Sequence, residues 1–178
     1  ATITYLIDPF KQYSMNSLKP YFHYNSRYLS PGLVKNYDFD TIIVGSSQAE
    51  NFLADEVDRM LNTKSLNVSF GGAGAYEHKQ IMELAMKTEK VKNILFSIEF
   101  YAFTGEKNLL RHGRNSLPLY LFDDNILNDY KYLLNIDVFY KANLRALASN
   151  FFGIRKKYLD IKKAYYWADY FNFSEEIT

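Results

Sequence analysis

Gly45-Ser46-Ser47-Gln48-Ala49 sets two hydroxyls at the end of the apolar, β-branched run Thr41-Ile42-Ile43-Val44. A buried strand that stops in a glycine and two serines delivers an alcohol to the carboxyl edge of a parallel sheet. That edge is where open α/β folds gather ligands and chemistry. Two further segments should meet there: Asn67-Val68-Ser69-Phe70-Gly71-Gly72-Ala73-Gly74, and Glu99-Phe100-Tyr101. Glycine amides and helix N-termini can hold an oxyanion, and Gly71 and Gly72 permit a backbone approach that a side chain blocks. A serine beside such donors has the parts for acyl transfer, provided a base takes its proton. The same residues also make ordinary structure, since a Gly-rich βα turn packs tightly and a serine pair caps a helix. His78, in the first turn of the following helix, is the only internal candidate for the base, although a capping or partly exposed histidine also accounts for it. Glu99, a carboxylate at the end of an apolar run, could orient a substrate or a base, or pair with a nearby cation.

These residues need a scaffold, and the hydrophobic pattern supplies one. Strands are expected at about 41–45, 65–69 and 93–99, separated by helices, as in βαβαβ with a parallel sheet. The fold class is α/β, a three-layer, doubly wound parallel sheet of flavodoxin-like type, incomplete at the C-terminus. Asp55 is read as capping the first of these helices, with Leu53, Val57, Met60 and Leu61 on one face. The second covers Ala75 to Lys87, with Ile81, Met82, Leu84 and Ala85 inward and Glu77, Lys79, Glu83 and Lys87 mostly outward. Strand three is near-continuously apolar, which predicts cover on both faces. Residues 1–39, punctuated by Pro9, Pro20 and Pro31-Gly32, read as an extended, aromatic-rich lead-in to a domain over 40–178. Helical spacing dominates 126–171. Tyr140, Leu144 and Leu147 follow a capping Asp137, and Ile154, Tyr158, Ile161, Tyr165 and Ala168 follow Gly153.

Composition narrows the function. A chain of 178 residues suits one domain, able to bury roughly two-thirds of its unfolded surface. The net charge of +1 provides no field to recruit nucleic acid. With no Cys, and with His23, His78 and His112 scattered, neither a disulfide nor a metal site is expected. Arg111, His112 and Arg114 with Lys107 form a basic loop that could face an anionic glycopolymer. Arg155-Lys156-Lys157 and Lys162-Lys163 could touch an anionic membrane, and ordinary solvated faces explain both groups. The 16 Tyr and 14 Phe either stack on sugar rings and partners or follow a general compositional bias.

The strand-Gly-Ser-Ser element resembles the first block of the SGNH/GDSL hydrolase superfamily, in which the third residue of a Gly-x-Ser triplet is the nucleophile. That resemblance implies Ser47 as nucleophile, with Ser46 where Asp often stands. Asn67 and Gly72 match the spacing of the second block, which implies oxyanion donors from the amides of Ser47 and Gly72. More narrowly, the chain resembles a group of membrane-anchored cell-surface proteins of Firmicutes. The matching segments are Ile7-Asp8-Pro9-Phe10, Pro31-Gly32-Leu33-Val34-Lys35-Asn36, Gly45-Ser46-Ser47 with Asn51-Phe52, Pro118 to Asn125 and Asn128 to Asn135.

The resemblance implies an extracellular serine-dependent O-acyl (acetyl) transferase or esterase. Its substrate would be a cell-envelope or secreted polysaccharide, or a teichoic-acid-like glycopolymer. It further implies a membrane-bound O-acyltransferase as partner, an anchor N-terminal to Ala1 and no cofactor. Two departures matter. Glu99-Phe100-Tyr101 stands where the third block supplies an Asn, and no Asp-x-x-His is present. The chain is therefore expected to be an inactive N-terminal portion of such a domain. The alternative is a non-catalytic SGNH-like binding or assembly subunit.

Overall fold

Thr41–Val44 form the central strand, β1, and all four residues are buried. β-Branched side chains suit this position because both faces of a parallel strand are covered. The structure, a computed structural model, describes residues 1–15, 25–110, 117–123, 125–152 and 160–162. Within them β1 pairs in parallel with β2 (Ser65–Asn67) on one side and β3 (Asn93–Phe96) on the other, giving the order β2-β1-β3. The chain is thus a mixed α/β protein built on a three-stranded parallel sheet. Each strand ends short of its expected span, but the ladder continues past the ends: the Val68 N–H donates to the Ile43 carbonyl at 2.9 Å and Ser97 N–H to the Val44 carbonyl at 2.8 Å.

The lead-in is not extended. It contains α1 (Thr2–Ile7) and α2 (Ser26–Asn36). Pro31 inside α2 removes one backbone donor and ordinarily breaks a helix. Here Leu29, Leu33 and Val34 are wholly buried in the main core beside Ile42, Val44 and Ile81, and that packing overrides the local preference. Gly32 has a specific reason. The Phe10–Lys11 backbone crosses α2 so closely that a Cβ would lie 2.3 Å from the Phe10 carbonyl oxygen. The Lys90 ammonium closes the far end of α2, donating to the carbonyls of Val34, Lys35 and Tyr37 at 3.2, 2.9 and 2.9 Å.

Residues 1–15 are held by the C-terminal helices rather than left outside the domain. Asp8 accepts from the backbone N–H of Gln12, Tyr13 and Ser14 at 2.8, 2.9 and 3.1 Å, and from the Tyr132 hydroxyl at 3.2 Å. Asn143 Nδ2 donates to Thr4 Oγ1 at 3.0 Å. Tyr132, in α5 (Tyr130–Leu133), is fully buried.

The helix α3 (Ala54–Leu61) buries only Ala54, while Met60 and Leu61 face outward and Asp55 sits in the first turn without capping it. Its neighbour β2 is a three-residue edge strand, so little sheet lies beneath its apolar stripe. Lys162 pairs with Asp55 at 3.0 Å and with Asp58, both on α3. The helix α4 (Ala75–Lys87) runs as its periodicity predicts, except that Glu77 is buried. β3 departs further. As the other edge, it leaves Ile94 exposed while Phe96 packs on the core, and Ile98 past its end is also exposed, so among the described residues the expected cover is not complete on both faces.

Beyond β3 the chain forms 3₁₀ turns at Phe100–Phe103, Leu119–Leu121 and Ile126–Asp129. A π-helical stretch, Val138–Asn143, then runs into α6 (Leu144–Phe152). Its i→i+5 bonding rotates the face relative to a regular helix. Val138, Ala142 and Ala146 are buried, whereas the expected stripe of Tyr140 and Leu144 is exposed. Tyr158, Tyr165, Ala168, the basic residues at 111, 112, 114, 155–157 and 163, and His23 lie outside the described residues. No described helix is long and apolar enough to cross a membrane.

Candidate functional site

The turn after β1 is tightly framed. A Cβ on Gly45 would fall 2.5 Å from the Ala49 Cβ and 2.8 Å from the Ser97 Cβ, so only glycine lets the loops after β1 and β3 meet. Ser46 is buried, and its hydroxyl has no hydrogen-bond partner among the described residues. Ser47 is half-exposed, and its carbonyl accepts from Asn51 Nδ2 at 3.4 Å. The chain then makes a 3₁₀ turn, Ala49–Asn51, before α3 begins.

Asn67 is occupied structurally. Its Nδ2 donates to the carbonyls of Ala49 at 2.8 Å and Phe52 at 3.0 Å, and its Oδ1 accepts from the Ser69 N–H at 3.0 Å. Both amide hydrogens are committed, so Asn67 supports the turn instead of facing a substrate. The Phe70 N–H joins the two loops directly, donating to the Gly45 carbonyl at 3.0 Å. Gly72 adopts φ +64°, a left-handed conformation that a side chain would strain.

A buried ionic network fastens the Gly-rich loop from behind. Arg27 on α2 donates Nε to Glu77 Oε1 at 2.8 Å, and its Nη2 to Glu77 Oε2 at 3.3 Å and to the Gly71 carbonyl at 3.0 Å. The guanidinium also lies over the Phe70 ring, 5.5 Å from its centroid. Glu77 Oε2 in turn accepts from the Gly74 N–H at 3.1 Å. Glu50 takes the Gly71 N–H at 2.9 Å and the more distant Ser26 hydroxyl at 3.5 Å. Burial pushes the Glu50 carboxyl up to about 7, against the opposing pull of the Gly71 N–H and the Arg27 charge.

Sequence reasoning missed all three charged residues. Glu77, three residues after Gly74 and ahead of an apolar run, carried a capping-box spacing that could have revealed it. For Arg27 and Glu50 no local signal existed.

The comparison with known proteins adds no identity: no family model, curated protein or solved structure matches the chain.

The third loop brings Glu99 toward the same edge, where it accepts from Ser97 Oγ at 3.3 Å and from the Tyr101 hydroxyl at 3.1 Å. His78 projects from α4 against Phe96, edge-on, with ring centroids 5.3 Å apart. The imidazole is buried, and neither nitrogen has a hydrogen-bond partner among the described residues. Burial lowers its pKa, so the neutral ring dominates. The Glu99 charge and the nearby Gly45 carbonyl oppose that shift, the carbonyl without reaching hydrogen-bonding geometry.

The carboxyl edge of the sheet therefore carries Ser46, Ser47, Gly72, His78 and Glu99 on the segments that follow β1, β2 and β3. It does not hydrogen-bond either serine to an imidazole. Among the described residues no cluster of three His, Asp or Glu side chains could hold a metal ion.

Proposed function

We propose that this chain carries the nucleophile half of an SGNH-like, serine-dependent O-acyl transferase or esterase of the outer cell envelope, acting on a cell-surface polysaccharide. One observation carries the reading. The half-exposed Ser47 sits at the carboxyl end of the central strand, in a turn hydrogen-bonded through Phe70 and Gly45 to the loop holding the left-handed Gly72. In that reading Ser47 Oγ attacks an acyl carbonyl while the amides of Ser47 and Gly72 hold the oxyanion. A doubly wound, SGNH-type arrangement belongs to the same proposal. It is supported by the parallel β2-β1-β3 order, since right-handed crossovers send α3 and α4 to opposite faces.

A second reading has its own support. His78 makes no hydrogen bond to Ser47, and both its nitrogens are shut away from solvent. A serine without a base is a poor nucleophile at neutral pH. This favours a non-catalytic SGNH-like subunit that binds glycan or docks a membrane-bound O-acyltransferase. A fluorophosphonate probe on the complete gene product separates the two. Labelling at Ser47 that disappears in Ser47→Ala supports the enzyme, and absence of labelling supports the binding subunit. Labelling that persists in Ser47→Ala removes Ser47 from the chemistry.

A further inference from the structure

A cavity of about 220 Å³ opens beside the Gly-rich loop, between the start of α4 and the segment that follows β3. Gly74, Tyr76, Phe103, Thr104, Glu106 and Lys107 are among its lining residues. Its near wall begins two residues after Gly72, so the two backbones are at most about 7 Å apart there. The far wall carries Phe103, exposed by 56%, and the turn that supplies it also leaves Phe100 and Tyr101, just outside the cavity, exposed by 88% and 39%. Such a cluster has no packing role in the core, and apolar surface gathered in this way marks a binding face. The rings also stand on an ordered base. Tyr101 donates to Glu99 at 3.1 Å, and Thr104 Oγ1 donates to the Tyr101 carbonyl at 2.8 Å.

From these features we infer that the cavity is a subsite for one neutral pyranose ring, the acceptor sugar of the proposed acyl transfer. Size limits the occupant, because sites for drug-sized ligands run to roughly 300–1,000 Å³. Charge limits it too. Glu106 and Lys107 present one carboxylate and one ammonium, which together offer acceptor and donor to hydroxyl groups and no net attraction to an anion. The aromatic rings of Tyr76 and Phe103 give the C–H face of a sugar an apolar surface, while its hydroxyls reach Thr104, Glu106 and Lys107. A purely apolar ligand would strand those polar groups, and a phosphate or uronate would meet the Glu106 carboxylate.

This inference rests on reading the Gly-rich loop as the acyl-transfer edge, and the test separates the two. Saturation-transfer NMR with methyl α-glucopyranoside and methyl N-acetylglucosaminide, on the 178-residue chain, should detect binding. Phe103→Ala should weaken it about tenfold, because the ring is solvent-facing and its loss removes stacking without touching the core. Glucuronate and inorganic phosphate should bind more weakly than the neutral glycosides. Ser47→Ala should leave glycoside binding unchanged while abolishing fluorophosphonate labelling of the complete gene product. Binding without any labelling keeps the subsite and retires the nucleophile. Labelling without glycoside binding retires the subsite alone. Glycoside binding that is indifferent to both Phe103→Ala and Tyr76→Ala, or a preference for the anions, overturns the inference.

Discussion

Glu50→Gln tests whether the loop-fastening carboxyl holds a proton in the folded protein. The group moves from an ordinary 4.5 to about 7 on folding because burial penalises its charge. The folded chain then keeps a proton that the unfolded chain releases. Stability is fully present below about 4.5 and falls as pH rises through about 7. The full shift is worth about 3 kcal/mol. Glu50 is only partly shielded from solvent, so screening reduces this to about 1–2 kcal/mol. For a chain of this length that is about 2–8 °C in Tm.

Gln keeps an oxygen for the Gly71 N–H and cannot ionise. Thermal unfolding followed by circular dichroism between pH 5 and pH 8 should show the two proteins close together at pH 5. Above pH 7 the variant should be the more stable. His78 has a pKa lowered by burial and Asp8 one raised by burial, but both titrate in both proteins and cancel in the difference. Parallel curves, or a variant that loses ground as pH rises, would refute the argument and mean that Arg27 fully compensates the buried charge.

Two other substitutions probe the scaffold. Gly32→Ala improves helix propensity by about 1 kcal/mol, but its Cβ would sit 2.3 Å from the Phe10 carbonyl oxygen and 2.5 Å from that of Lys11. The clash should win, with a net loss of about 1–3 kcal/mol in urea unfolding; a stabilised variant would mean that the two segments do not cross there. Tyr132→Phe removes a donor to Asp8 and an acceptor for the Phe10 N–H. It should cost about 1–2 kcal/mol and speed proteolysis within residues 1–15. An unchanged cleavage rate would show that the N-terminal segment is held by other contacts.

Legibility from sequence followed the range of the forces involved. The strand β1 and the helix α4 were readable because burial repeats at the period of the local structure: Thr41–Val44 is continuously apolar or β-branched, and Ile81, Leu84 and Ala85 lie on one face. The lead-in misled because Pro31 and Gly32 are local helix-breaking signals, whereas α2 exists through contacts with residues far along the chain. The stripe at Tyr140 and Leu144 misled because π-helical winding shifts the buried face, and no residue type announces such winding. The site was half visible. Ser46, Ser47, Gly72, His78 and Glu99 lie on three sheet-edge segments, and spacing alone could nominate them. Arg27 and Glu50, which fasten that edge, come from segments without chemical pattern.

By itself the sequence determined where a hydroxyl-bearing turn and a Gly-rich loop must occur, because an apolar run ending in small residues has few ways to fold. Only the tertiary structure decided that Ser46 points inward while Ser47 keeps access to solvent, that Asn67 spends its amide on the turn, and that His78 reaches neither serine. Those outcomes depend on which side chains exclude water from one another across distant segments, and residue order does not encode that exclusion locally.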